Sequence, residues 1–201
     1  MSIVFVHGWG FDARFWDSVC NHLPEGTESI RIDLGFTKNA DIPKLPENTI
    51  CVGHSLGVLW LLKHVQNPKA LVSINGFDCF YKFTPDQNLQ IMQRQIQRRP
   101  ERQMREFYKA CGASFDEDTE FDQEALFEGL TWLREWDLSD EKNNLSCPLR
   151  VIASRDDQIV PASASQEMWR DIVWKETGGH VLPLTHSEFC AQHIMEVTNG
   201  I

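Results

Sequence analysis

"TICVGHSLGVLWLLKHV", residues 49–65, decides the fold. An apolar run stops at Gly53, a single serine stands between Gly53 and Gly57, and an apolar run of helical character follows. With glycine and serine each at roughly 7% of residues, G-x-S-x-G arises by accident in about one chain in fifteen of this length, so the pattern alone carries little. Its setting carries more. A strand feeding a sharp turn into a helix N-terminus stands a hydroxyl clear at the sheet's carboxyl edge, as a serine nucleophile requires. Two glycines relieve the crowding around such a turn. Ser55 is therefore read as a nucleophile on a strand-to-helix elbow, against the competing reading of an ordinary glycine turn.

Outward from this stretch, short apolar β-branched runs recur at 2–6, 29–34, 49–53, 70–76, 149–154 and 171–176. Helical patterns separate most of them. Continuous apolar strands alternating with helices predict an α/β fold, a mostly parallel sheet of about six strands with helices on both faces. Phe11, Phe15, Trp16, Val19, Cys20 and Leu23 form a helical stripe, with Asp12 placed to cap it. Further helices are expected over 55–66, 162–170 and 187–198, and from about Phe121. The stretch 35–48, with Pro43 and Pro46, reads as irregular. About seventy residues separate the strands ending near Gly76 and starting near Leu149, far more than an ordinary connection. The expectation is one domain over 1–201 in which 77–147 inserts as a helical lid that excludes water and shapes a pocket.

At 201 residues and 42% hydrophobic, the chain suits a single well-buried domain. No export signal and no apolar run of membrane-spanning length is visible, so a soluble, cytoplasmic protein is expected, without membrane partners. Six cysteines without paired spacing read as reduced thiols. The formal charge of −10 argues against nucleic acid as a partner. No histidine pattern of the H-E-x-x-H kind appears, so no metal site is expected.

A serine hydroxyl is a weak nucleophile and needs a base within reach and an acid to orient that base. After the strand at 149–154 comes "RDDQIVP", and after the strand at 171–176 comes "TGGH", ending at His180. Serine, then aspartate, then histidine is the chain order of hydrolases built on such a sheet. Asp157 is favoured over its neighbour Asp156. Of the seven histidines, His54, His64, His186 and His193 among them, His180 is favoured because it alone directly follows a strand and a glycine pair, while His186 and His193 fall in or beside the last helix. The backbone N–H of Leu56, directly after Ser55, and of Trp9, in the "VHGWGF" turn, are the expected donors to a negative oxygen.

"HGWG" (7–10), "GHSLG" (53–57), "DDQIVP" (156–161) and "GGHVLPLTHSEF" (178–189), in this order, resemble the α/β-hydrolase superfamily. Within it, "HGWGFDARFW" and residues 133–161 resemble the biotin-pathway carboxylesterases that cleave pimeloyl-acyl-carrier-protein methyl ester. The resemblance spans most of the chain and is weakest in the lid. The chain opens at what would be the family's third strand, and the helix usual between the fourth and fifth strands is missing from 35–48. The resemblance implies the same triad, Ser55, Asp157 and His180, the same donors, and ester hydrolysis through an acyl-enzyme with no cofactor.

The lid segment from Arg94 to Lys109 holds six basic residues against two acidic ones. Read alone, it is a solvated helix face with internal ion pairs. The resemblance makes it a surface for an acidic acyl carrier protein, with Arg102 and Arg105 as leading contacts and Pro100 interrupting the segment. Phe77, Phe80, Tyr81, Phe107 and Trp132 are candidates to line an acyl pocket, or else packing residues. Three classes stand: the carboxylesterase, a general small-ester hydrolase or thioesterase with the same triad, and a non-catalytic binding protein on this fold.

Overall fold

The computed structural model describes residues 2–200. Among them, six strands form one sheet: β1 (Ile3–Val6), β2 (Ser29–Ile32), β3 (Ile50–His54), β4 (Ala70–Ile74), β5 (Leu149–Ser154) and β6 (Ile172–Lys175). Their order is β2-β1-β3-β4-β5-β6, and every neighbouring pair runs parallel. All residues of β1, β3 and β4 are buried. That explains why these strands read as unbroken apolar runs instead of alternating ones.

The two faces of the sheet divide the core by strand parity. Val4, Val6, Cys51, Leu71 and Val151 pack on one side with α2 (Leu56–His64). Ile3, Phe5, Ile50, Val52 and Val72 pack on the other with Trp16, Val19 and α9 (Ser187–Asn199). The chain steps from β1 outward to β2, then returns to place β3 on β1's other side. The carboxyl ends of β1 and β3 therefore flank the point where strand order reverses, the favoured place for a site in an open α/β sheet.

One expected helix shrinks. The stripe over 11–23 folds as a single 3₁₀ turn (Ala13–Trp16) and a short α1 (Asp17–Cys20). Asp12 caps the turn, accepting from the Arg14 N–H at 2.8 Å. Phe11, Phe15, Trp16 and Val19 are buried even so, because two tight turns present the same face as one longer helix. Helices α7 (Ala162–Met168) and α9 stand where expected, and 35–48 contains no helix or strand beyond the bridge of Asp33 with Asp41.

The segment 77–147 carries α3 (Asp86–Arg98), α4 (Pro100–Cys111), α5 (Gln123–Glu135) and α6 (Ser139–Asn143). Pro100 opens α4 at its first position, and Arg99 leaves helical geometry (φ −151°, ψ 66°), so one basic run becomes two helices. This segment rests on the turn after β1. The Trp9 indole N–H donates to the Leu126 carbonyl at 2.8 Å, and the Tyr108 hydroxyl to the Gly10 carbonyl at 2.8 Å. Lys142 ties its end down through an ion pair to the buried Asp78 at 2.6 Å.

Helix α2 seats directly on β1. A Cβ at Gly57 would lie 2.2 Å from the Val6 carbonyl oxygen and 2.8 Å from that of His7. Gly57→Ala is expected to cost about 3 kcal/mol in urea denaturation, since backbone cannot yield as a side chain can. Gly26, with nothing within 4 Å of its would-be Cβ and φ +81°, is the control. Gly26→Ala should cost only about 1 kcal/mol, from the backbone conformation alone.

Candidate active site

β3 ends at His54 and α2 begins at Leu56, so Ser55 makes the reversal in one residue. Its backbone sits at φ 53°, ψ −123°. Such a conformation costs a non-glycine residue about 1–3 kcal/mol and persists only where the surroundings impose it. Gly53 helps impose it, because a Cβ there would lie 2.7 Å from the Val58 nitrogen.

Three side chains from distant parts of the chain meet at this elbow. His180, in the loop after β6, has its Nε2 2.9 Å from the Ser55 Oγ. Its Nδ1 lies 2.8 Å from the Asp157 Oδ2. The other Asp157 oxygen accepts the N–H groups of Ile159 (2.7 Å) and Val160 (3.0 Å), which fixes the carboxylate toward the imidazole. With Nδ1–H donating to the carboxylate, Nε2 is left as the acceptor of the serine proton. Asp157 and His180 are buried, where such bonds are strong and water does not compete.

Asp156 points elsewhere. Burial pushes its pKa up, but the Ser154 hydroxyl and the N–H groups of Gly179 and Gly178 outweigh this, so it lies below the ordinary carboxylate value. It holds the backbone of the His180 loop without touching the imidazole. His186 bonds to Thr185 and His193 to Glu196, both away from Ser55.

Leu56 is the first residue of α2, so its N–H has no intrahelical acceptor. Trp9 follows the His7-Gly8 turn, which His7 braces by donating from Nδ1 to the Gly8 carbonyl and accepting the Leu34 N–H at Nε2, 3.0 Å. No protein acceptor takes the N–H of Trp9 or of Leu56 among the described residues. A Cβ at Gly8 would lie 3.1 Å from the Ser55 Cβ, which shows how closely this turn approaches the serine.

Ser55 is only 6% exposed and opens into a cavity of about 320 Å³ beneath α3–α5. Trp9, Phe77, Phe80 and Phe107 line it. Two expected lining residues lie outside it. Tyr81 is 40% exposed, its hydroxyl bonded to Asp137, because it sits one residue beyond the Phe77–Phe80 turn that enters the cavity. Trp132 faces the other way on α5, stacked on Trp136 with ring centroids 5.0 Å apart. Gln103, which the sequence did not single out, also lines the cavity. It is 8% exposed, and its carboxamide has no protein hydrogen-bond partner among the described residues. Asn75 was likewise missed, and His54 was weighed only as a rival base; both are buried and bond to the His180 backbone. The Asn-Gly pair ending the β4 run was the available signal, since asparagine tolerates positive φ. Among the described residues, no cluster of three His, Cys, Asp or Glu side chains offers a metal site.

A parallel sheet with a strained serine elbow and a buried Ser-His-Asp chain at its carboxyl edge defines a hydrolytic enzyme of the α/β class. The chain belongs to the alpha/beta hydrolase family, whose model matches residues 3–193. It is 26% identical over 243 aligned residues to a pimeloyl-[acyl-carrier protein] methyl ester esterase of Pseudoalteromonas atlantica, covering 98% of this chain and 94% of the relative. An enzyme of the same name from Vibrio cholerae is 24% identical, over 96% of this chain and 92% of that one. Among solved structures, a Bacillus anthracis bromoperoxidase superposes with TM-score 0.81 at 15% identity, covering 98% of this chain and 91% of that one. An Exiguobacterium antarcticum esterase gives 0.79 at 16%, covering 98% and 92%. These two share the fold.

Asp157→Asn is expected to lower kcat for a p-nitrophenyl ester by about four orders of magnitude, by misorienting the imidazole. Asp156→Asn should lower it far less, because that carboxylate braces only the loop. Steady-state rates of the two variants decide between them. An inactive Asp156→Asn beside an active Asp157→Asn would exchange the roles.

Proposed function

We propose that the chain is a serine carboxylesterase and that its substrate is pimeloyl-[acyl-carrier protein] methyl ester. The observation that carries the reading is the continuous chain from Asp157 through His180 to Ser55, at 2.8 and 2.9 Å. Ser55 Oγ attacks the ester carbonyl carbon as its proton passes to His180 Nε2. The N–H groups of Trp9 and Leu56 hold the negative oxygen of the tetrahedral intermediate. Collapse breaks the carbon–alkoxy bond, and the departing oxygen takes the His180 proton and leaves as the alcohol. Water then attacks the acyl-Ser55 ester with His180 again the base, releasing the acid and restoring the serine. Asp157 holds the imidazole throughout. The names of the relatives support the methyl ester; the apolar cavity supports an aliphatic acyl chain, with Gln103 available to a carbonyl along it. Six unpaired cysteines support a reducing, cytoplasmic setting, and no helix among the described residues is long and apolar enough to cross a membrane.

The basic segment supports an acidic carrier protein as partner, in a revised form. Arg102 pairs with Glu106, and Arg105 forks onto Glu117 above the Phe115 ring, so both leading cations are internally engaged. Arg98 and Arg99 have no ion-pair partner among the described residues. With Arg102 they line a groove that shares Gln103 and Glu106 with the cavity over Ser55. A chain leaving the cavity by this route passes under the arginines. The internal pairing of Arg102 and Arg105 favours the second reading, a small-ester hydrolase or thioesterase that needs no carrier.

Charge reversal separates the two. Arg98→Glu with Arg99→Glu is expected to lower kcat/KM for the carrier-linked methyl ester by about tenfold or more at low salt, and Arg102→Glu with Arg105→Glu by less. A short p-nitrophenyl ester should be hydrolysed at the wild-type rate by both, and added salt should slow wild type only on the carrier substrate. Equal effects on the two substrates would leave the small-ester reading.

A further inference from the structure

The base follows a glycine pair whose N–H groups donate to Asp156, while its own carbonyl is held from elsewhere. Gly178 (φ +135°) and Gly179 (φ +61°) immediately precede His180, and only Asp157 and Ser55 touch its imidazole through hydrogen bonds. Yet the backbone carbonyl of His180 accepts two further bonds, from the Asn75 Nδ2 at 2.8 Å and the His54 Nε2 at 2.8 Å. We propose that Asn75 and His54 clamp this carbonyl and are positioning residues for the His180 imidazole.

Each donor ties the carbonyl to a different member of the site. Asn75 is 1% exposed, with φ 47° at the end of β4, and its carboxamide makes three hydrogen bonds. Its Nδ2 donates to the Gly179 carbonyl (3.0 Å) as well as to that of His180, and its Oδ1 accepts the Ser154 N–H (2.9 Å). Ser154 ends β5, the strand leading to Asp157, so Asn75 refers the base to the acid's strand. His54 adjoins Ser55 in the chain, so it refers the base to the nucleophile. Burial, and then the neighbouring His180, hold the His54 pKa well below the ordinary value, which keeps it a neutral single donor. Its ring lies stacked 4.5 Å from Phe15. Both lone pairs of one carbonyl are thereby filled, and the Cα carrying the imidazole is located from both sides.

The inference rests on the reading of His180 as the base, and the test separates the two. Asn75→Asp keeps the shape and the acceptor for Ser154 but replaces the two-proton donor facing the carbonyls. It is expected to lower kcat for a p-nitrophenyl ester by about 10- to 100-fold, the scale of a ~1 Å misplacement, with KM changed less than about twofold. Fluorophosphonate labelling of Ser55 should still reach completion, only more slowly, which a partly unfolded population would not do. Asn75→Ala should behave alike, and His54→Phe, which keeps the stacked ring, should combine with it non-additively. Wild-type kcat per labelled serine in the Asn75 variants would overturn the clamp. If wild type neither hydrolysed esters nor took up the probe, the esterase reading would fall. The low-field proton resonance of the His180 Nδ1–H would then decide the clamp alone: loss or broadening in Asn75→Asp supports it, and an unchanged signal overturns it.

Discussion

The close seating of α2 on the end of β1 is the constraint on which the site depends. With no side chain at Gly57, the first turn of the helix rests against the carbonyls of Val6 and His7. That contact leaves the chain a single residue in which to turn back from β3, and Ser55 takes the strained conformation that results. The same approach brings the turn after β1 beside the serine, so the proposed nucleophile and the candidate oxyanion donors share one local geometry. Helix packing and active-site shape are here one problem.

Burial then decides the electrostatics. The insert over α3–α5 closes the carboxyl edge of the sheet, leaving Ser55, Asp157 and His180 out of bulk water with each polar group partnered. Polar groups in such a place are costly when unpaired and strong when paired. The Gln103 carboxamide lining the cavity and the N–H groups of Trp9 and Leu56 beside Ser55 are groups placed to meet a ligand.

The sheet was legible because its strands are short, apolar and buried on both faces, and the serine elbow because glycine is the one residue that its close approaches admit. Ser55, Asp157 and His180 could be picked out by the strands they follow. What could not be read depends on direction in space. Tyr81 and Trp132 carry the right chemistry for an acyl pocket, but one faces solvent and the other the far side of α5. Internal ion pairing was legible for Arg102, which helical spacing sets beside Glu106, but not for Arg105, to which only the fold brings Glu117. The Asn-Gly pair marks Asn75 as a turn residue, but its role could not be read, since its partners lie 79 to 105 residues away along the chain.

The central claim is that the hydroxyl at the elbow becomes covalently acylated during turnover. Rapid acid quench of the enzyme with excess p-nitrophenyl ester, followed by intact-mass and peptide mapping, tests it most directly. The account predicts one acyl group per chain, carried on Ser55, formed in a burst of one p-nitrophenol per enzyme. Turnover with no adduct, or with the acyl group on another residue such as the half-buried Cys147, would contradict it.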